Sequence, residues 1–224
     1  MHLLLVSATK FEVIDLVSAA ENHSLNHNRT NLKWLISGIG QLQTTWAIQK
    51  SIEIQRPDLI IQCGIGGASQ ENEIGEVFAI RSDKLADLGL MENQGFSDIY
   101  QIGLSDPEEF PFTGGKLVNP YVNLLQWSGL RQLDGETVNE IKSADLPGFK
   151  RNPSLVVESM EGAALHYVGL MEKIPFLQLR AISNLTGDRD KNRWKIKEAI
   201  KALHDTLVLL IQKLEKADET LFRI

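Results

Sequence analysis

Short apolar runs alternate along this chain with segments whose apolar positions recur at helical spacing. The apolar runs predict strands over residues 3–8, 32–37, 58–64, 76–82, 154–159 and 176–183. The helical spacing predicts helices over residues 10–20, 42–54 and 194–216. Alternating strands and helices indicate an α/β layered fold with a largely parallel sheet.

Residues 83–134 break this alternation, because they are rich in turn-forming and aromatic residues and show no clear period. An irregular insertion of this kind often carries specificity or a subunit contact. The sequence shows no internal repeat, low-complexity segment or linker, so we expect residues 1–224 to form a single domain.

Charge and composition narrow the class of protein. The formal net charge is -6 and the sequence pI is near 5.4, which argues against a nucleic-acid partner. No 18-residue apolar run or basic N-terminal region is present, so we expect no membrane partner and a cytoplasmic location. The single cysteine, Cys63, lies in an apolar run, and we expect it to be a buried strand residue.

Charged and polar side chains stand at the ends of three predicted strands. Glu12 follows the first strand, and Thr9 and Glu12 have the spacing of a helix capping box. Glu161 lies where the strand in VVESMEGAA (156–164) gives way to a helix of small residues, and Arg180 and Asn184 lie in RAISN (180–184). Each carboxylate can stabilise a helix start. Strand ends in α/β proteins also form ligand crevices, so these residues are equally candidates for one shared polar site.

Other chemistries have little support. The glycine turns SGIGQ (37–41) and CGIGGA (63–68) do not complete a phosphate-binding motif, although they allow close approach of a ligand if they are more than tight turns. The five histidines form no zinc-binding pattern, and no G-x-S-x-G occurs. We therefore expect neither a metal nor a cofactor. The charge run GDRDKNRWKIK (187–197) is typical of a solvated loop, although its basic residues are also candidates for contacting an anionic group of a ligand.

The ordered set of motifs resembles the nucleoside phosphorylase/nucleosidase superfamily, and specifically its hydrolase branch. MEGAA (160–164) resembles that superfamily's M-E-x-x-A junction, and RAISN resembles its R-x-I-S-[DN] strand. SATKFE (7–12) resembles the segment in which nucleosidases place a glutamate. The resemblance spans nearly the whole chain and implies a three-layer sandwich with a central mixed, largely parallel β-sheet.

Within the superfamily, three further segments resemble the futalosine hydrolase family. They are ISN with the downstream DRDKNRW, the GETVNEI loop (135–141) and ADLGL (86–90). Gly66 departs from the family pattern, because the relatives' glycine turn often has alanine there. That family acts in the alternative pathway of menaquinone biosynthesis.

The resemblance implies hydrolysis of the purine–ribose C–N bond of a small-molecule nucleoside by a homo-oligomer, a dimer or larger. Glu12 is then the candidate general base, with Arg180 positioning the water. Glu12 also stands near the position where related phosphorylases have an arginine for phosphate, which indicates a hydrolase. Glu161 accepts from the ribose diol, and Met160 packs on the sugar. The remaining candidate substrate-binding residues are Ser159, Thr137, Val138, Asn139, Ile65, Gly66, Gly67 and Ser183.

Asn184 is the candidate catalytic residue at the base. Its amide can donate to O6 and accept from the protonated N7 of hypoxanthine, whereas the aspartate of relatives that act on adenine nucleosides suits a 6-amino group. Alternatives stay open: a nucleosidase or phosphorylase for another purine nucleoside (inosine-like or methylthioadenosine-like), a non-catalytic nucleoside-binding module, and a dinucleotide-binding oxidoreductase.

Overall fold

One mixed β-sheet, with helices packed against it, organises the chain. The computed structural model describes residues 1–14, 30–93 and 95–223. Within them the strands are β1 (His2–Ser7), β2 (Asn31–Ile36), β3 (Leu59–Ala68), β4 (Val77–Asp83), β5 (Gly89–Glu92), β6 (Gly95–Asp98), β7 (Leu117–Val118), β8 (Gln132–Thr137), β9 (Val156–Ser159) and β10 (Phe176–Leu185). The helices are α1 (Gln41–Ile54), α2 (Val122–Ser128), α3 (Gly162–Glu172) and α4 (Ile196–Leu214).

The main sheet closes on itself. Its strand order is β10-β4-β8-β9-β3-β1-β2, and β10 also pairs with β3. The α/β class and the mixed sheet are confirmed. The three-layer arrangement is not, because the sheet curls into a barrel-like ring instead of staying open between two helical layers. The cause is the length of β3, whose first half pairs with β1 and whose end pairs with β9, while β10 runs along its other side.

The structure confirms the predicted strands and two of the predicted helices to within a few residues. The helix predicted over residues 10–20 begins as a short 3₁₀ turn at Lys10–Glu12, and residues 15–29 lie outside the described part of the chain. The irregular region contains elements that its pattern did not predict, namely β5 to β8 and α2. β5, β6 and β7 are too short for a period to show.

The core is one buried apolar cluster of residues from β1, β3, β10 and α4, in which α4 packs against β3 and β10. Leu203, Leu207 and Ile211 of α4 are fully buried, as the helical spacing predicts. Cys63 is buried in β3 as expected, and burial raises the pKa of its thiol to about 12. Within the described residues, no helix combines the length and hydropathy that a membrane crossing requires.

Candidate active site

Glu12 lies in the short 3₁₀ turn that follows β1, and both oxygens of its carboxylate accept hydrogen bonds. Its Oε2 accepts hydrogen bonds from the Ser7 hydroxyl (2.9 Å), the Thr9 backbone N–H (3.0 Å) and the Thr9 hydroxyl (3.1 Å). Its Oε1 accepts from the backbone N–H of Ile65 in β3 at 3.1 Å. The first group is the contact pattern of the predicted cap. The second ties the carboxylate to the glycine-rich half of β3, so capping and a place at the site coexist.

Glu161 and Arg180 form a buried ion pair. Glu161 lies just before α3 and Arg180 in the middle of β10; they are 6% and 2% exposed. Arg180 Nη1 lies 3.5 Å from Glu161 Oε2. The other carboxylate oxygen accepts from the backbone N–H of Gly40 at 3.1 Å, which brings the first glycine turn to the same place. The pair satisfies the requirement that a buried arginine have a partner.

Gln62 of β3 hydrogen-bonds to both residues of this pair. The sequence motifs did not identify it as a site residue. Its side-chain NH₂ donates to the backbone oxygen of Glu161 at 3.3 Å, and its Oε1 accepts from Arg180 Nη2 at 3.2 Å. The side chain is buried, so no solvent competes for these bonds. A glutamine inside the apolar run DLIIQCG was the signal, because a buried central strand seldom contains a polar side chain without a partner.

Gly64 leaves the space between Glu12 and Arg180 open. A methyl group on Gly64 would lie 2.6 Å from Arg180 Nη1 and 2.9 Å from Glu12 Oε1. Both distances are shorter than van der Waals contact, so only glycine allows the two charged groups to flank this point of β3. The prediction that CGIGGA forms a turn is wrong, because these residues belong to strand β3, which continues to Ala68.

Asn184 lies at the end of β10, where the strand has a register shift against β3. The Ser183 hydroxyl donates to Asn184 Oδ1 at 2.8 Å, and Asn184 Nδ2 donates to the backbone oxygen of Leu185 at 3.1 Å. The side chain is only partly buried, in contrast to Ser183. The amide is thus oriented by its neighbours and still accessible.

Similarity to known proteins agrees with this geometry. No family model matches the chain. Futalosine hydrolase from Streptomyces coelicolor is 30% identical over 159 residues, which cover 70% of this chain and 67% of that protein. The chain belongs to the futalosine hydrolase family. Futalosine hydrolase from Thermus thermophilus is 28% identical over 181 residues, 78% of each protein.

Membership of the futalosine hydrolase family makes the chain a nucleoside N-glycosyl hydrolase. A solved 5'-methylthioadenosine/S-adenosylhomocysteine nucleosidase from Colwellia psychrerythraea, in complex with adenine, has a TM-score of 0.75 and 15% identity, and the match covers 96% of each chain. At that identity the likeness shows a shared α/β fold with a mixed sheet. The closed sheet seen here is thus compatible with a nucleosidase fold.

Most of the predicted site residues of this futalosine hydrolase family member do come together. Ile65, Gly66 and Gly67 lie in the part of β3 that pairs with β10, and Gly67 also pairs with β9. Ser183 lies 3.2 Å from the Gly66 backbone oxygen, and Ser159 Oγ accepts from the Gly162 N–H at 3.3 Å.

Thr137 is the exception among the residues predicted to contact the base. It is fully buried; its hydroxyl donates to Asp83 at 2.8 Å and accepts from the Ala163 backbone N–H at 2.8 Å. Both functions of the hydroxyl are therefore used inside the protein. Thr137 links β8 to the start of α3, and the prediction that its side chain lines the pocket is wrong.

The neighbours of Thr137 in the GETVNEI loop differ from it. Val138 is 7% exposed and faces a cavity of about 920 Å³. Asn139 is exposed, and Asp87 accepts hydrogen bonds from its backbone and side-chain N–H groups. Met160 is half-buried beside Glu161. Val138 therefore presents an apolar side chain to the cavity, whereas the exposed side chain of Asn139 is bonded to Asp87, which lines the cavity.

The charge run before α4 is largely paired with itself. Arg193 lies 2.6 Å from Asp188 and 3.8 Å from Asp190, and the Arg189 guanidinium lies 5.2 Å from the centre of the Trp194 ring. The charged residues of the run other than Asp188 are all exposed. The solvated-loop interpretation fits these contacts, although Arg189 remains close enough to the cavity to act electrostatically on Glu158.

Two further ionisable residues, Asp83 and His166, are fully buried at α3. Burial raises the pKa of Asp83 to about 6, and the hydrogen bond from Thr137 opposes that shift. Burial lowers the pKa of His166 to about 4, and its Nδ1 bonds the Leu117 backbone oxygen at 2.8 Å. A side chain on Gly162 would overlap Asp83 and Gln178. Among the described residues, no three His, Cys, Asp or Glu side chains are placed to hold a metal ion.

Proposed function

We propose that this enzyme hydrolyses the N-glycosidic bond of futalosine, releasing hypoxanthine and dehypoxanthine futalosine in menaquinone biosynthesis. The observation that carries the proposal is the placement of Asn184, rather than an aspartate, at the end of β10, the strand that also contains Arg180 of the buried ion pair. The identity to futalosine hydrolases supports the choice of substrate class. We also propose that residues 1–224 form one nucleosidase domain.

Glu12 is the proposed general base. Departure of the purine leaves a sugar with oxocarbenium character, and a carboxylate must activate a water on the opposite face. The four hydrogen bonds to Glu12 fix its orientation. Arg180 lies across Gly64 from Glu12, so its guanidinium is near enough to orient the same water. The negative charge of Glu12 at this point disfavours phosphate, which supports a hydrolase over a phosphorylase.

Glu161 is the proposed ribose-binding residue. An ionised carboxylate can accept from both hydroxyls of a 2′,3′-diol. Its negative charge also stabilises the positive charge that develops on the sugar ring. Arg180 and the Gly40 N–H hold the two carboxylate oxygens in place, and Met160 lies next to it in the chain, where it can pack on the sugar.

Asn184 is the proposed base-selecting residue. A 6-oxopurine offers an acceptor at O6 and, once protonated during departure, a donor at N7. The Asn184 amide matches both, because it offers NH₂ and C=O side by side. A site that depends on such hydrogen bonds rejects a mismatched base strongly, since mismatch leaves buried polar groups unpaired. Ser183 fixes which way the amide faces.

A homo-oligomer is the proposed assembly, with a face of α1 at the interface. Leu42, Trp46 and Ile54 are 86%, 68% and 74% exposed, and their spacing in multiples of four puts them on one face of the helix. Ile36 and Ile39, just before α1, are exposed as well. Several exposed apolar side chains on one helix face are typical of a subunit contact.

Release of hypoxanthine from futalosine is the direct test of the substrate. We expect equimolar hypoxanthine in phosphate-free buffer, at a rate that neither added phosphate nor a chelator changes. Inosine and methylthioadenosine, assayed in parallel, should give lower kcat/KM values. Turnover that requires phosphate and yields a ribose 1-phosphate ester would contradict the proposal, and a preference for methylthioadenosine would favour the alternative substrate.

Replacing Glu12 with glutamine tests the general base. We expect Glu12→Gln to lower kcat by roughly 10²-fold or more, with a smaller change in KM. Glutamine also puts an NH₂ against groups that donate to Glu12, so the matched control is Thr9→Val, which removes one capping bond and keeps the carboxylate. Thr9→Val should retain most of the activity. Normal turnover by Glu12→Gln would leave Glu12 as a capping residue only.

Asn184→Asp tests selection of the base. An ionised aspartate only accepts, so it loses the donor to O6; an unpaired buried acceptor costs about 1–3 kcal/mol, or roughly 5- to 150-fold in kcat/KM for futalosine. The 6-amino counterpart should gain. Asn192→Asp makes the same change of charge in an exposed turn and should leave the ratio of the two substrates unchanged. An unchanged ratio in Asn184→Asp would show that this residue does not contact the base.

Trp46→Glu tests the subunit interface. A buried charge in an apolar contact is costly, so we expect the variant to lose the oligomeric mass that light scattering measures for the wild-type protein. Leu209→Glu, at a 65% exposed position on α4, should keep the wild-type mass. A monomeric wild-type protein, or equal masses for all three, would contradict the proposed interface.

A further inference from the structure

The first turn of α3 is capped by side chains from two strands instead of by its own N-cap residue. A helix start leaves N–H groups without an intrahelical partner. Glu161 is the N-cap residue, and its side chain caps none of the N–H groups that the structure describes. The Gly162 N–H donates instead to the Ser159 hydroxyl of β9 at 3.3 Å. The Ala163 N–H donates to the Thr137 hydroxyl of β8 at 2.8 Å, so two strand hydroxyls do what an N-cap side chain usually does.

This arrangement leaves acceptor capacity on the Glu161 carboxylate. Its Oε1 accepts from the Gly40 N–H at 3.1 Å, and its Oε2 lies 3.5 Å from Arg180 Nη1. Each oxygen of an ionised carboxylate can accept two hydrogen bonds, so each oxygen retains a lone pair for a ligand hydroxyl. A carboxylate that turned back to cap its own helix would use this capacity on the Ala163 N–H.

Asp83 fixes the direction of the Thr137 hydroxyl. Asp83 is fully buried, and its Oδ1 accepts from that hydroxyl at 2.8 Å. Burial raises the pKa of Asp83 to about 6, so the carboxylate is mostly ionised at neutral pH and can only accept. A hydroxyl has one proton, so donation to Asp83 leaves its oxygen to accept from Ala163. A side chain at Gly162 would overlap Asp83, so the carboxylate packs directly against the first residue of α3.

We propose that Asp83 and Thr137 are positioning residues for ribose recognition, because they cap α3 in place of Glu161 and thereby leave the Glu161 carboxylate for the 2′,3′-diol. This rests on the proposed function, in which Glu161 binds the ribose. Loss of the Thr137 hydroxyl leaves the buried Ala163 N–H without its acceptor. Glu161 is the ionised group of the same helical turn, so its carboxylate rotates toward that N–H and away from the sugar.

Selectivity for a ribonucleoside over its 2′-deoxy counterpart measures the Glu161 contact. The measured quantity is kcat/KM for inosine divided by kcat/KM for 2′-deoxyinosine, at about pH 8, where Asp83 is ionised. A smaller fraction of folded protein lowers both rates equally, so a purely structural defect leaves the ratio unchanged. Thr137→Val removes the hydroxyl and keeps the shape. The ratio should fall, by at most the roughly 10- to 150-fold that a hydrogen bond to a charged group contributes.

Three further variants complete the experiment. Thr137→Ser keeps the hydroxyl and should keep the wild-type ratio. Ser128→Ala is the matched control, because the buried Ser128 hydroxyl also donates and accepts, to the Leu125 backbone oxygen at 2.6 Å and from the Leu130 N–H at 3.2 Å. It should lower Tm and leave the ratio unchanged. In Asp83→Asn the new NH₂ can donate to the Thr137 oxygen and compete with Ala163, so the ratio should fall; this variant decides if Thr137→Val does not fold.

Glu161→Gln separates this proposal from the proposed function. A ratio that falls in Glu161→Gln but not in folded Thr137→Val or Asp83→Asn overturns the positioning role and leaves Glu161 as the ribose-binding residue. An unchanged ratio in Glu161→Gln overturns both. An equal fall in Ser128→Ala also overturns the positioning role, because the effect is then general. Adenosine and 2′-deoxyadenosine replace the inosine pair if the protein prefers a 6-amino base. Cleavage of inosine but not of futalosine refutes the proposed substrate and leaves this test in place.

Discussion

The buried ion pair between Arg180 and Glu161 is the interaction on which the site depends. Two charges removed from water must be matched by each other and by further hydrogen bonds, and removing one partner of such a pair costs about 3–5 kcal/mol. Here Gln62 and the Gly40 N–H supply the additional bonds. These contacts join β3, β10, the start of α3 and the turn before α1. The pair therefore fixes the relative positions of the elements that surround the candidate site.

Room for these charged groups explains Gly64, and close approach of neighbouring strands explains the other two glycines of the run. The guanidinium needs room beside Gly64, the backbone of β9 passes close to Gly66, and the Asn184 amide lies over Gly67. A side chain at any of these points would displace a polar group from its partner. The closed sheet has the same origin, because β3 has to contact β10 on one side while its end turns to β9 on the other. The pairing of β3 thus closes the sheet, and the glycines of the same strand leave room for the polar site.

Much of this could be predicted from the sequence because it is local. The alternation of strands and helices, the junction at Glu161 and the polar end of β10 all appear as short patterns, and the structure has them where the patterns indicate. The pairing of β10 with β3 joins residues more than a hundred positions apart, so no local pattern contains it. Thr137 was misassigned because strand spacing does not show whether a hydroxyl has a partner inside the protein. Gln62 was missed because its importance comes from what it contacts, not from a motif.

The two carboxylates of the site have the same chemistry and different surroundings, and this difference argues for different roles. Glu12 is held by four hydrogen-bond donors, and Glu161 by a buried cation and one backbone N–H. Carboxylates whose environments diverge in this way divide the tasks of a site between them. A carboxylate held by several hydrogen bonds, such as Glu12, suits proton transfer at one fixed atom. A carboxylate that is already paired with a cation, such as Glu161, suits binding of a neutral diol.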